Sequence, residues 1–169
     1  MAALHRNVIV SVLFTVFGGP GIVLVWVPLW VTRFRVPASE PRWQTILAAL
    51  LILAGVSPGL ESVKRLVVVG RGTLVPTAPT EHLVVSGFYR YVRNPMYVGA
   101  VTALSGEVLL FRSRSLAVFV ALLWLGLHLF VRCYEEPMLA RRHSDEYRRF
   151  KRNVPRWLPR LKPWRNGDP

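Results

Sequence analysis

Residues 96–131 read MYVGAVTALSGEVLLFRSRSLAVFVALLWLGLHLFV and form two apolar runs separated by four polar residues. The runs, 96–111 and 116–131, are each slightly shorter than the length that crosses about 30 Å of hydrocarbon at about 1.5 Å per residue. The link 112–115 leaves room only for a tight turn, so the pattern predicts an antiparallel hairpin of two membrane helices. We expect both helices to continue past these limits on the side away from the turn.

Two further apolar stretches precede this hairpin. The stretch 7–31 is uncharged and is interrupted at 18–21 (GGPG), where we expect a kink. The stretch 43–60 opens with an interfacial Trp43 and closes near 57–59 (SPG). The chain is therefore predicted to be all-α, an integral membrane helical bundle of about four transmembrane helices. Residues 1–63 hold the N-terminal pair, and residues 64–169 hold a polar loop, the hairpin and a basic tail.

Composition supports a membrane domain and suggests its orientation. Of 169 residues 52% are hydrophobic, more than a soluble domain of this size can bury. The formal charge of +13 is concentrated after residue 60 and after residue 131. Placing both termini in the cytoplasm puts most lysines and arginines on that side, as the positive-inside rule requires. The charge thus concerns topology rather than nucleic acid, and the polar regions 64–95 and 132–169 share one face, where an active site is expected.

Metal chemistry and disulfides are not predicted. Cys133 is the only cysteine, so neither an intrachain disulfide nor a cysteine-based zinc site can form. The four histidines are scattered without the spacing of metal ligands. His128, inside the second run of the hairpin, is expected to be a packed, hydrogen-bonded residue, and Glu107 in the first run is left without a role.

Asn94-Pro95 predicts where the hairpin begins. Asn is a favoured N-cap and Pro is favoured at the first helical position, where its missing N–H is not needed. The first turn then offers free backbone N–H groups, to which Arg90 and Arg93 add positive charge. This combination suits a carboxylate or phosphate. The alternative is that both arginines merely anchor the helix to anionic lipid head groups.

Glu135-Glu136 follows the hairpin, amid a strongly basic tail. One explanation is ion pairing to Arg132, Arg141 or Arg142. The other is a binding site for hydroxyl, amino or cationic groups of a ligand. The hairpin brings residues 94–97 and 135–136 to the same end, which favours a polar pocket over two isolated features.

The basic tail has two parts. Apolar residues recur at helical spacing after Pro137, which predicts an amphipathic helix on the cytoplasmic surface. Three prolines then interrupt residues 155–164, so that stretch is expected to be an extended strap at the interface. A lipid-binding polybasic tail without chemistry explains this part equally well.

Several of these segments together resemble a known family. They are 83–99 (LVVSGFYRYVRNPMYVG), 135–139 (EEPML), 146–150 (EYRRF) and 154–159 (VPRWLP), preceded by 70–76 (GRGTLVP). The set is similar to the isoprenylcysteine carboxyl methyltransferase and phospholipid methyltransferase family, and the resemblance covers about the C-terminal two thirds of the chain.

The resemblance implies a multi-pass membrane methyltransferase that uses S-adenosylmethionine without a Rossmann domain, within a single membrane domain whose loop before the hairpin binds the cofactor. The strand-helix alternation of a Rossmann domain is indeed lacking. It implies catalytic roles for Arg93, Asn94 and Glu136, although many members carry His where this chain has Asn94. The implied cofactor contacts are Leu83, Val84, Gly87, Tyr89, Arg90, Asn94, Pro95, Tyr97, Gly99, Glu135 and Glu136.

The methyl acceptor is expected to be a lipid or isoprenoid-linked molecule that enters between helices. In-line transfer from a sulfonium needs mainly positioning, and a carboxylate acceptor needs no base. An amine or hydroxyl would need one, and the sequence shows no obvious base, which favours a carboxylate. Two alternatives are an NADPH-dependent enzyme like the sterol reductases, which share part of the motif but are usually longer, and a non-enzymatic lipid-binding membrane protein.

Overall fold

The computed structural model describes residues 19–33, 42–69 and 82–165. Helix α1 comprises Gly19–Gly21, a π-helical turn Ile22–Trp26 and Val27–Val31; α2 is Arg42–Val68, α3 is Pro95–Phe111, α4 is Arg114–Phe130 and α5 is Glu136–Asn153. A 3₁₀ turn, Gly87–Arg90, precedes α3, and a π-helical turn, Val131–Glu135, joins α4 to α5. These ranges contain no strand. The all-helical prediction is confirmed; the start of the predicted first span and the loop 70–80 lie outside the described residues.

Helices α2 and α3 pack closely because both present small residues to each other. A Cβ atom on Gly55 would lie 2.9 Å from the Cα of Ala103 and closer still to the Gly99 carbonyl oxygen. A Cβ on Gly106 would lie 2.7 Å from the Ala48 carbonyl oxygen. Such contacts let helix backbones approach in a membrane, where lipid provides little hydrophobic drive for association. The α2–α3 pair is therefore the fixed seam of the bundle.

The hairpin between α3 and α4 has the predicted tight turn. Arg112 adopts a left-handed conformation (φ 49°) that ends α3. Ser113 then caps α4 by accepting a hydrogen bond from the Leu116 N–H at 3.2 Å. Gln44 of α2 closes the same end, because its side chain donates to the Leu109 carbonyl and accepts from Arg112 at 3.1 Å. The antiparallel pairing brings the start of α3 to the end of α4.

Two predicted helix limits change and a third is confirmed. Helix α2 does not close at 57–59 but runs through Pro58 to Val68. Pro58 is tolerated inside it, and its carbonyl accepts a 2.6 Å bond from Ser62 Oγ. Helix α3 begins at Pro95 and does not extend further towards the N-terminus, because the backbone of Asn94 is not helical. The chain beyond α4 does continue without a break through the π turn into α5.

The exterior of the bundle is apolar. Trp30, Trp43, Leu53 and Leu122 are each more than 60% exposed. Within the described ranges two helical segments, Arg42–Leu66 and Arg114–Asn153, are long and apolar enough to cross a membrane. The apolar part of the latter ends near Val131, and α5 is polar and amphipathic, with Tyr147 and Phe150 buried. An apolar exterior of this extent fits a membrane-embedded bundle.

Candidate functional site

Glu136 is a buried carboxylate bound by three basic side chains. Its exposed fraction is 5%. Oε1 accepts from Arg93 Nη1 at 2.9 Å and from Arg156 Nε at 2.5 Å, while Oε2 accepts from Arg156 Nη2 at 3.0 Å. Lys151 Nζ lies 3.2 Å from Oε2. We call these four residues the Glu136 cluster. A buried carboxylate is stable only with such partners, because removing it from water is costly.

The cluster keeps Glu136 ionised. Burial by itself raises the pKa of this carboxyl, but the hydrogen bonds from Arg156 and Lys151 and the charge of Arg93 outweigh burial and lower the pKa to about 2. Ion pairing was one of the two explanations offered by the sequence, but the partners proposed for it, Arg132, Arg141 and Arg142, were wrong. All three are exposed to solvent or lipid. The actual partners come from parts of the chain that the fold brings together.

The strap, residues 154–165, lies against the segment that precedes α3. The backbone N–H of Arg93 donates to the Pro155 carbonyl, that of Arg160 to the Tyr91 carbonyl and that of Trp164 to the Arg90 carbonyl, each at 2.9 Å. Trp164 is 2% exposed and packs with Tyr89, Tyr147, Phe150 and Val154 in a core cluster. The strap is therefore a structural part of the site. A tail bound only to lipid would not show this ladder or a buried tryptophan.

Asn94 starts α3 but does not cap it with its side chain. Its amide nitrogen donates to the Arg156 carbonyl oxygen at 3.1 Å, and no side-chain cap bond is formed. The predicted side-chain N-cap is therefore wrong. The Asn94 side chain is held by the strap and does not accept a hydrogen bond from the first N–H groups of α3. Asn94 is 8% exposed. Asn94 therefore links the start of α3 to Arg156, the residue whose guanidinium binds Glu136.

A second polar group lies beside the Glu136 cluster, on the π turn. The Tyr97 hydroxyl and the Glu135 carboxylate are hydrogen-bonding partners. Burial raises the pKa of Tyr89, and the nearby charges of Glu135 and Glu61 add to the effect, so the Tyr89 hydroxyl stays protonated. π-helical turns often occur at functional sites, where the extra residue redirects a side chain. Here the turn places Glu135 toward Tyr97 and Glu136 toward Arg93.

Several buried polar atoms at this end of the bundle have no hydrogen-bond partner within the part of the chain that the structure describes, and three of them lie around Tyr97 and Arg93. These three are Glu135 Oε2, Arg93 Nε and Ser86 Oγ. Buried polar atoms are nearly always paired, so unpaired ones call for an explanation such as a bound ligand. One is an acceptor and two are donors. Together they suit a ligand that carries both an amino or hydroxyl group and a carboxylate.

An apolar cavity of about 250 Å³ reaches this polar end from inside the bundle. It lies between α1, α2, α3 and α4, and its lining includes Val23, Val63, Ala100, Leu127 and the Tyr97 side of α3. We call it the first cavity. Tyr97 is thus shared by an apolar space and the polar group around Glu135. Such a junction suits an amphipathic molecule.

The remaining predicted cofactor contacts have structural partners of their own. Val84 is buried in the core cluster, and Leu83 packs against it. Gly87 has a positive φ of 57° and lies against the Glu61–Arg65 ion pair of α2, whereas Arg90 donates from Nε to the Trp164 carbonyl at 2.8 Å. Pro95 is buried at the start of α3, and Gly99 contacts Gly55 across the seam.

Sequence reasoning missed Lys151, Arg156 and Tyr147 as members of the site. Tyr147 is 2% exposed and its hydroxyl accepts from Arg93 Nη1 at 3.4 Å. The position of Glu135 and Glu136 amid many basic residues indicated that basic side chains pair with them, but it did not indicate which ones. His128 is, as predicted, packed and hydrogen-bonded: its ring stacks with Trp124, and Nδ1 accepts from Trp157 Nε1 at 3.0 Å.

A helical bundle with an apolar exterior, two adjacent carboxylates and an apolar cavity at one end has the features of a membrane protein that binds amphipathic molecules. The sequence profile of the family described as phospholipid methyltransferase matches residues 43–146. Since this match covers more than half of the 169 residues, the chain belongs to the phospholipid methyltransferase family. No curated protein and no solved structure shows significant similarity to the chain.

The family assignment confirms the resemblance noted in the sequence and makes the protein a membrane methyltransferase for lipid substrates. It favours this activity over the reductase-like and non-enzymatic alternatives. The matched segment contains the start of α3, Glu135 and Glu136, whereas the strap with Arg156 lies after it. The strap contacts described above therefore come from the structure and not from the family match.

Proposed function

We propose that the protein transfers a methyl group from S-adenosylmethionine to a lipidic acceptor at the polar end of the bundle. One observation carries this proposal: Glu135 Oε2 is buried and has no hydrogen-bond partner among the described residues, and it lies beside Tyr97, which also borders the first cavity. When bound, S-adenosylmethionine supplies an electrophilic methyl group on a sulfonium. The buried carboxylate suits the amino group or hydroxyls of this cofactor, and Arg93 Nε and Ser86 Oγ suit its carboxylate.

Each proposed role follows from the contacts of the residue. Glu135 and Tyr97 bind and orient the cofactor, and the Tyr89 hydroxyl, which stays protonated, serves as a hydrogen-bond donor. Glu136 is already saturated by Arg93, Lys151 and Arg156. Its role is to fix the position of Arg93, and Asn94 ties the same region to the strap.

The acceptor enters through the first cavity, whose lining is almost entirely apolar and suits an acyl or isoprenoid chain. Its nucleophile then lies near Tyr97, opposite the cofactor end, as in-line displacement requires. Glu136 is ionised and fully paired, so it is not a proton acceptor. A carboxylate acceptor, as in the isoprenylcysteine carboxyl methyltransferases, needs none, and it remains the favoured nucleophile. We further propose that the polar end, with both termini, faces the cytoplasm.

The test is calorimetric binding of S-adenosylmethionine to the detergent-purified full chain, with NADPH as the competing cofactor. We expect saturable binding of S-adenosylmethionine only, weakened at least about tenfold by Glu135→Gln because a charge-assisted hydrogen bond is lost. Glu107→Gln is the matched control: it makes the same chemical change ten residues beyond Tyr97 on α3, about 15 Å away. NADPH binding, or equal affinity of the Glu135→Gln variant and the wild type, would contradict the proposal.

The acceptor class is tested by methyl transfer from labelled cofactor to two substrates, a prenylcysteine analogue and phosphatidylethanolamine vesicles. A carboxylate acceptor predicts a base-labile methyl ester on the first substrate. Labelling of the ethanolamine nitrogen alone would show that the acceptor is an amine and would require a base that Glu136 does not provide.

A further inference from the structure

A second cavity, of about 530 Å³, lies on the other side of the α2–α3 seam. Its floor is apolar and is formed by Ala54 and Pro58 of α2 together with Pro95 and Val98 of α3. Its rim consists of Glu61, Phe88, Arg90, Tyr91 and Pro159. The cavity thus has an apolar part along two membrane helices and a charged part at the polar end of the bundle.

The two cavities are separated by the seam itself. At 3.6 residues per turn, the α2 residues Ala54, Pro58 and Glu61 of the second cavity lie about 180° around the helix from Val56, Leu60 and Val63 of the first. Between them the backbones of Gly55 and Gly99 are in close contact, which separates the two spaces at this level of the seam. A molecule in the second cavity therefore does not occupy the apolar space next to Tyr97.

The charged rim holds two groups whose bonding is incomplete within the described part of the chain. Glu61 Oε1 is paired with Arg65, but Glu61 Oε2 is buried and has no hydrogen-bond partner. Arg90 uses Nε for the Trp164 carbonyl, and no described carboxylate forms an ion pair with its guanidinium. Charged groups at the edge of a bilayer are costly unless they are paired.

We propose that the second cavity binds an aminophospholipid of the phosphatidylethanolamine type as a resident, non-reacting ligand. The phosphate pairs with the Arg90 guanidinium, and the ammonium donates a hydrogen bond to Glu61 Oε2, the carboxylate oxygen that Arg65 does not bind. The rings of Phe88 and Tyr91 at the rim suit the same cation. One acyl chain lies along the apolar floor. This assignment does not depend on the proposed methyl acceptor, since the seam separates the two spaces.

The unpaired carboxylate oxygen of Glu61 selects this class of lipid over a close relative. Phosphatidylcholine has the same net charge and the same phosphate, but its quaternary ammonium has no N–H to donate to Glu61. A head group without a donor leaves the buried carboxylate oxygen unsatisfied, which is a substantial penalty. The second cavity therefore distinguishes the two lipids by a hydrogen bond and not by size or charge alone.

The test is native mass spectrometry of the delipidated full chain titrated with the two lipids, matched in acyl chains and without added cofactor. We expect one phosphatidylethanolamine to bind saturably, at least about tenfold more tightly than phosphatidylcholine. Val98→Phe fills the second cavity and is expected to weaken this binding at least tenfold. Ala100→Phe, two residues away on α3, fills the first cavity instead and serves as the matched control, with affinity expected to stay within about twofold.

Equal binding of the two lipids, or unchanged binding in Val98→Phe, would overturn the proposal. Loss of binding in Ala100→Phe alone would overturn it as well, because the lipid would then lie in the first cavity. If Val98→Phe does not fold, as judged by gel filtration and circular dichroism, Arg90→Gln replaces it. That variant removes the phosphate partner and is expected to weaken binding of both lipids at least tenfold; unchanged binding there would contradict the proposal equally.

Discussion

The indole N–H of Trp157 donates to Nδ1 of His128 at 3.0 Å, and the two rings stack with centroids 5.9 Å apart. This contact joins the strap to the membrane helix α4. Trp157 directly follows Arg156, whose guanidinium binds Glu136 and whose carbonyl accepts from Asn94. The His128–Trp157 pair therefore holds the strap in the register at which the Glu136 cluster is complete.

Trp157→Phe is expected to lower the free energy of unfolding by about 1 kcal/mol, since it removes one hydrogen bond and keeps an aromatic ring for stacking. The measurement is unfolding by denaturant in detergent micelles. His128→Leu removes the same hydrogen bond from the other side. The double variant is expected to lose less than the sum of the two single losses, and strictly additive losses would show that the two residues are not coupled.

Arg156→Ala is expected to cost about 2–3 kcal/mol, because it leaves a buried carboxylate with only two of its three cations. Arg148→Ala is the matched control. Arg148 pairs with Asp145 at 3.6 Å on the surface, and both side chains are more than two thirds exposed. We expect its loss to cost less than about 0.5 kcal/mol. Equal costs in the two variants would mean that the cluster contributes no more than a surface ion pair.

The pKa of Glu136 predicts a stability profile at low pH. Its pKa in the folded protein is about 2, below its ordinary value of 4.5, so ionised Glu136 stabilises the fold above about pH 4.5. This contribution, about 3 kcal/mol, is lost as the pH falls from about 4.5 to about 2. In thermal unfolding, the Glu136→Gln variant is expected to be less stable than the wild type at pH 7, and its stability is expected to change less between pH 4.5 and pH 2. Asp145→Asn, which changes an exposed acid, is expected to retain the wild-type slope.

The seam between α2 and α3 predicts opposite effects for two glycines of one helix. Gly55→Ala places a Cβ against the backbone of Gly99 and Ala103, so the helices must separate, and we expect a loss of at least about 2 kcal/mol. Gly59→Ala meets no atom within 4 Å and is expected to stabilise α2 by about 0.5–1 kcal/mol. Unfolding of both variants in the same detergent measures the difference. Similar values for the two would mean that the seam is loosely packed.

The sequence predicted those parts of the fold that depend on local pattern. The hairpin followed from two apolar runs and a four-residue link, and the start of α3 from Asn94-Pro95. The predicted end of α2 was wrong because Pro58 was interpreted as a helix end. A proline inside a helix is tolerated when neighbouring groups satisfy the backbone groups that it leaves unpaired.

The candidate site was predictable only in part. Its location at the open end of the hairpin followed from topology, since an antiparallel turn at 112–113 returns Glu135 to the level of Tyr97. The ion-pair partners of Glu136 did not follow, because Arg93 and Arg156 are 43 and 20 residues away along the chain. Contacts of this kind are decided by how the strap folds back, and no periodicity in the sequence encodes that path.

The strap also determines when the enzyme is completed during synthesis. Tyr97, Glu135 and Glu136 are translated before Arg156 and Trp157, because they precede them in the chain. Until those residues arrive, Glu136 lacks its bidentate partner and Asn94 lacks its acceptor. A nascent chain therefore holds this polar end of the bundle unassembled until the strap has been translated and has docked against the segment that precedes α3.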